Sequence, residues 1–280
     1  MAGHTWSRPL VFLLACATLL QPDAMPAALV PVRHTEGLVH GFLVLSTLEG
    51  NTLADGELLQ FSSGDRVTSR LVFHFKDGSV HDETAVFSQR RSFRLLSDRL
   101  VQKGPVFQRP MQVSIDSSTG QVTVRYTDEG KQKVTVDRLE LPADVSNGLI
   151  LTLLKNIRPD ATKTVLSFVA ATPKPRLVKL AITPQGNEPF SIGGARYRAT
   201  RYAVRVEIGG VSGLVAPLLG KQPPDTLVWI LGGEAPAFVK SEGPLYFGGP
   251  IWRIELSSPV WPRVPAVDSK NGTRTGERKR

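Results

Sequence analysis

The chain has 280 residues, a formal net charge of +9 and one cysteine, Cys16. With a single thiol there is no intrachain disulfide and no multi-cysteine zinc or iron–sulfur site. The charge suits anionic surroundings, although a merely basic soluble surface accounts for it better.

Arg8 precedes an apolar run from Leu10 to Leu20, and Gln21, Pro22 and Asp23 end it before the small residues Ala24, Ala27 and Ala28. A positive end, a short greasy stretch and a small-residue exit are the layout of a secretory signal peptide. The run is too short to span a bilayer, which takes roughly 20 residues. Residues 1–27 are therefore read as a signal, and the protein as exported, periplasmic or secreted, with a cysteine-free mature chain. A second reading makes Cys16 a lipidated first residue. Leu14 is bulky for that motif, and Ala17 to Leu20 stay apolar where a lipoprotein turns polar, so cleavage is preferred.

About 250 residues remain, enough for one large β domain without covalent staples. From Gly41 to Leu141 short alternating segments are divided by turn residues. Leu71, Phe73 and Phe75 form one greasy face, and Asp77-Gly78 turns the chain into a strand from Val80 to Phe87. Met111, Val113 and Ile115 form the next, then Val122, Val124 and Tyr126, then Val134 and Val136. This is the signature of an antiparallel meander with one dry and one wet face.

The alternation breaks over residues 142–157, where Leu149, Ile150, Leu153, Leu154 and Ile157 recur at helical spacing and Pro159 stops the run. One helix is expected there, packed on the concave side or an end of the sheet. Strands resume at Val165 to Val169, Arg176 to Ile182, Tyr202 to Ile208, Thr226 to Leu231 and Ile251 to Leu256. Thr226 to Leu231 is apolar at nearly every position, as in a strand covered on both faces.

The predicted fold is mainly β: a strongly curved antiparallel sheet or sheet pair, a meander of half-barrel style, with one packed helix near 142–157. Residues 28–267 form a single β domain with a possible seam at 142–163. Residues 268–280 carry five basic against two acidic side chains and no large apolar one, so they read as a disordered basic tail.

The chemistry-bearing patterns are sparse. His74 and His81 flank the Asp77-Gly78 turn, with Asp82 and Glu83 next to them. A two-residue loop sets the histidines opposite each other, and a longer loop shifts the pairing by one. His74, His81 and Glu83 are thus the metal-ligand candidates, but neighbouring ligands in a hairpin arise often by chance, and no metal or other cofactor is assigned. Gly209-Gly210-Val211-Ser212-Gly213 fails as a nucleophile elbow because Leu214 stands where a glycine is required. Gly220-Lys221 fails as a phosphate loop because Val215 and Gln222 stand at defining positions. Arg196, Arg198, Arg201 and Arg205 alternate over both faces of a strand, against a nucleic-acid face. Asp82, Glu83, Glu188 and Glu234 offer carboxylates, and nothing marks a pair among them.

The closing third has a recognisable order. A strand to Ile208 is followed by Thr226-Leu227-Val228-Trp229-Ile230-Leu231, Pro236-Ala237-Phe238-Val239-Lys240 and a glycine-rich turn into Trp252-Arg253-Ile254-Glu255-Leu256. That order resembles the closing hairpins of uncharacterised bacterial exported β-sheet proteins, a domain family of unknown function. The resemblance implies a curved antiparallel sheet in the cell envelope and brings no catalytic residues. A looser likeness is to half-barrel lipoprotein carriers, whose curved sheet and helix hold acyl chains.

These readings converge on an exported, non-enzymatic envelope protein that binds a hydrophobic or amphipathic ligand, or a protein partner, on the concave face. No nucleic acid and no transmembrane segment in the mature chain are expected. The alternatives are an extracellular hydrolase of polysaccharide or ester substrates and a structural protein that pairs through an edge strand.

Overall fold

A computed structural model describes residues 29–192, 195–207 and 223–257. The proposed signal, the basic tail, the Gly209–Leu214 segment and Gly220-Lys221 lie outside the described residues.

Eight strands form the first meander: β1 (Val39–Ser46), β2 (Thr52–Ser63), β3 (Arg66–Phe75), β4 (Val80–Gln89), β5 (Phe93–Lys103), β6 (Met111–Asp116), β7 (Gln121–Asp128) and β8 (Lys131–Arg138). A helix, α1 (Ile150–Asn156), follows. Six more strands complete the chain: β9 (Thr164–Ala170), β10 (Arg176–Ile192), β11 (Ala195–Glu207), β12 (Thr226–Leu231), β13 (Ala237–Pro244) and β14 (Ile251–Ser257). All join one antiparallel sheet in the order β8-β7-β6-β5-β4-β3-β2-β1-β14-β13-β12-β11-β10-β9. The two meanders are fused where β14 pairs with β1, Leu45 opposite Ile254. The sheet pair allowed by the sequence is therefore a single sheet, open between β8 and β9.

The sheet curls because one face must be buried. Phe73, Phe87, Ile115, Val124, Ile182, Tyr202, Val228 and Trp252, drawn from both meanders, meet in one hydrophobic core. Most of β12 is covered on both faces, as its composition demands. Val228 and Ile230 face the main core, while Trp229 joins a small outer cluster with Ala199 and Val239.

The helix is shorter than expected, and the reason is local chemistry. Residues 142–149 do not coil. Asp144 accepts hydrogen bonds from the backbone and hydroxyl of Ser167, at 3.0 and 2.9 Å, through its two carboxylate oxygens. Ser146 donates to Ser167 O, and the Asn147 amide both accepts from Val169 N at 2.8 Å and donates to Val169 O at 2.9 Å. Asp, Ser and Asn side chains compete with helix hydrogen bonds in this way. Here they cover the free edge of β9, which otherwise exposes a row of unpaired backbone groups. Gly148 then takes a positive φ of 65°, and only after it does the chain coil. From β8 to β9 the segment crosses the interior, and Leu149, Leu153, Leu154 and Ile157 fill the core. Tyr202 donates its hydroxyl to Ile157 O at 2.9 Å and anchors the helix end on β11.

A candidate ligand site on the inner face

Alternation along β4 and β5 decides what lines the interior. His81, Glu83, Ala85 and Phe87 point inward from β4; Gln102, Leu100 and Asp98 point inward from β5. The register sets His81 opposite Gln102, Glu83 opposite Leu100 and Ala85 opposite Asp98. A bulge at Val86/Phe87 then skips Leu96, which turns outward, so that Leu95 and Phe93 also face the core. On the flanks, Phe73 and Leu71 of β3 oppose His81 and Glu83, and Ile115 and Val113 of β6 oppose Asp98 and Leu100. A strip of four polar side chains is thereby set into an apolar wall.

Two of the four, His81 and Asp98, have a buried polar atom without a partner, and Asp98 also accepts from the Arg99 backbone. Gln102 Nε2 donates to His81 Nδ1 at 3.2 Å, so the ring hydrogen sits on Nε2, which is buried and has no partner. Burial pushes the His81 pKa down to about 4 and keeps the imidazole neutral at physiological pH. Asp98 is 3% exposed and its Oδ1 has no partner. Burial, and then the charge of Glu83, raise the Asp98 pKa well above the carboxylate range. Burial pushes Glu83 up to about 7. Ionisation of one carboxyl opposes ionisation of the other.

Glu83 itself keeps some accessible surface. The same holds for its neighbours in one cross-strand row: Leu58, Leu71, Glu83 and Leu100 sit side by side on β2 to β5. Leu58, Leu71 and Leu100 pack against the core and remain only partly buried. The rows on either side, Phe73–His81–Gln102 and Ala85–Asp98–Ile115, are fully buried. A row of three leucines and one carboxyl, less completely covered than its neighbours, therefore runs across the inner face.

Both ends of this region are tied down. At one end Phe107 stacks edge-on against Phe75 and Tyr246, and Tyr246 against Trp252, with centroids 5.2 to 5.8 Å apart. Tyr246 also donates its hydroxyl to Val106 O at 3.0 Å, which ties the β13–β14 turn to the β5–β6 loop. At the other end Glu36 accepts from Gln60 and from Lys155, both at 2.6 Å, and Gln89 bonds the Glu36 backbone. Asn156 there caps the backbone N–H groups of Arg33 and His34.

The sequence candidates are dispersed by this geometry. His74 opposes Val80 while His81 opposes Phe73, so the longer turn has shifted the pairing by one. His74 is exposed on the outer face, and the hairpin does not bring His74 and His81 together. Among the described residues no three His, Cys, Asp or Glu side chains are placed to hold a metal ion. Asp82 pairs outward with Arg70 at 2.7 Å; Glu188 pairs with Arg201 at 2.6 Å and accepts from Trp229 Nε1; Glu234 is exposed. Of the named carboxylates only Glu83 reaches the interior. Its partners Asp98 and Gln102 are missed because the bulge hides the alternation of β5, whose apolar positions 93, 95 and 100 change parity.

No family description and no curated protein matches the chain. The fold is similar to the crystal structure of a β-barrel-like protein of the domain of unknown function DUF1849 from Brucella abortus. The likeness covers 82% of this chain and 97% of that one, with a TM-score of 0.42 and 11% identity.

Proposed function

We propose that the chain is an exported, non-enzymatic envelope protein that holds a hydrophobic or amphipathic ligand against the inner face of its curved sheet. The observation that carries this reading is the row Leu58, Leu71, Glu83 and Leu100, which face inward on four adjacent strands and yet keep accessible surface. An apolar groove with few polar groups is the usual form of a small-molecule site. Export rests on the signal-like residues 1–27. A hydrolase would draw on the same Glu83 and Asp98. His81, however, bonds only Gln102 and neither carboxyl, which favours binding over nucleophile activation.

The test uses the purified full chain and the apolar fluorophore N-phenyl-1-naphthylamine. Saturable enhancement that is lost in Leu71→Trp, where an indole fills the groove, supports the reading. Absence of saturable binding, or binding unchanged in Leu71→Trp, overturns it. Fractionation of a bacterial host, with the mature N-terminus read by mass spectrometry, tests export: a cleaved end between Ala24 and Ala28 is the expected result, and an intact Met1 in the cytoplasm is the contrary one.

A further inference from the structure

We propose that two copies of this chain pair antiparallel through the free edge of β8, about a two-fold axis at Thr135. β8 ends the sheet, beyond β6 and β7 from the row that carries the ligand reading, so the two stand or fall separately.

The open sheet has two edges, and among the described residues only one is covered. At β9, Ser146 and Asn147 bond the strand backbone and Val145 bridges Ser167. β8 pairs with β7 and with no other described strand. Leu139 N donates to Gly120 O at 2.9 Å, and an antiparallel ladder alternates from there. Odd-numbered residues of β8 thus exchange hydrogen bonds with β7, while the N–H and C=O groups of Gln132, Val134, Val136 and Arg138 point to the free edge. Protein edges are commonly blunted by a bulge, a proline or brevity. β8 has eight residues, no proline and an unshifted register. A turn with positive φ at Glu129 (50°) and Gly130 (74°) holds it as a hairpin arm.

The side chains of β8 run against the usual pattern. Thr135 and Asp137 share the core face with Val124 and Val122, which they oppose. Val134 and Val136 stand on the other face, each 58% exposed. An apolar pair on the wet face of an unpaired edge calls for a cover.

The order of residues in β8 supplies that cover, because it is complementary to itself. An axis at Thr135 sets Val134 of each copy opposite Val136 of the other and Lys133 opposite Asp137, so that apolar meets apolar and cation meets anion on both sides of the axis. Even-numbered residues then face even-numbered ones, so their outward N–H and C=O groups meet as a ladder requires. Moving the axis to Val134 or Val136 keeps that ladder but sets the other valine against Gln132 or Arg138. Lys133 bonds Asp128 of its own chain at 2.5 Å, and an ammonium with three donors can serve a second carboxylate.

Sedimentation velocity of the purified full chain, from about 1 to about 200 µM, tests for the dimer. A dissociation constant of about 1–50 µM is expected, the weak end for an interface built on one strand pair. Asp137→Lys sets like charges across the axis and should weaken the dimer about fivefold or more. Adding Lys133→Asp exchanges the charges and should restore most of the affinity. Within one chain the two positions lie roughly 13 Å apart along the strand, so rescue reports pairing between copies. The register is read by oxidising Thr135→Cys in a Cys16→Ser background. At that position the paired Cα atoms stand about 4.5 Å apart, within reach of a disulfide, and a covalent dimer is expected. Gln132→Cys, displaced from the axis, should not lock. A chain that stays monomeric to about 200 µM overturns the proposal. So does a dimer that Asp137→Lys leaves intact and Thr135→Cys fails to lock, since it forms through another surface. Hydrogen exchange supplies the last arm: Val134 and Val136 amides should lose protection on dilution. Protection that persists in the monomer places the chain's own residues on this edge and also overturns the proposal.

Discussion

Gly148 lies against Ala85 and Asp98: a Cβ on it would stand 2.5 Å from the Ala85 Cβ and 3.0 Å from Asp98 Oδ1. This contact joins the segment between β8 and β9 to the strands that carry the polar strip. Gly148→Ala must strain a backbone held at φ 65° and push into β4, so a loss of about 3 kcal/mol is expected. Ala85→Gly in the same chain should return part of it, because it removes the atom that clashes. A double-mutant cycle by urea unfolding checks the pair, with a coupling of about 1 kcal/mol as the expected result and simple additivity as the contrary one.

Asn147 imitates a strand for the exposed edge of β9. Its side-chain amide satisfies both the N–H and the C=O of Val169. Asn147→Ala orphans both groups and should cost about 2–4 kcal/mol, since each buried unmet partner costs about 1–3. Hydrogen exchange gives the sharper readout. The Val169 amide should pass from protected to fast, while amides in the middle of β4 keep most of their protection.

The strand pattern was the most legible feature of the sequence because burial on one face imposes a period of two on most strands, although Val134 and Val136 of β8, which alternate in the same way, are exposed. Leu71, Phe73 and Phe75 are inward as expected, and so are Val113, Ile115, Val122 and Val124. The helix was legible only in its second half. Leu149 to Ile157 keep helical spacing, but residues 144–147 spend their polar groups on β9, a tertiary contact with a strand some 20 residues later that no local pattern announces. The site was legible only through Glu83. Asp98 and Gln102 lie on a bulged strand, and periodicity loses a strand whose parity changes in the middle. The pairing of β14 with β1, which fuses the meanders, has no signal in a single sequence at all.

Lys155 and Glu36 form an ion pair at 2.6 Å, with side chains 14% and 5% exposed. Gln60 also bonds this carboxylate, so the unit fastens the end of α1 to β2 and to the chain entering β1. Lys155→Met removes one charge and leaves the other buried, which should cost about 3–5 kcal/mol. Adding Glu36→Gln should recover a large part, because the orphaned charge goes too. Thermal unfolding of the two variants checks this, and equal stability of the single and double variants contradicts it.

Glu83 makes stability depend on pH in the direction opposite to that of an ordinary surface carboxylate. Its folded pKa is about 7 against an unfolded value near 4.5, so the folded state binds more protons between those limits. Stability from this group is therefore full below about pH 4.5 and is lost as pH rises through about 7. His81 acts in the reverse sense: its folded pKa of about 4 lies below 6.5, so stability falls as pH drops from about 6.5 toward 4. Where the two windows overlap they oppose each other, and above about pH 7 only the carboxyl pair still weighs against folding. Glu83→Gln keeps the shape and removes the charge. It should gain about 2 kcal/mol over the wild type near pH 8 and close to nothing near pH 4.5. The measurement is unfolding of both proteins across this range without ligand. A gain that grows with pH means that Glu83 carries an unbalanced negative charge in the fold. A variant less stable than the wild type at pH 8 would instead show that a protein group already neutralises Glu83.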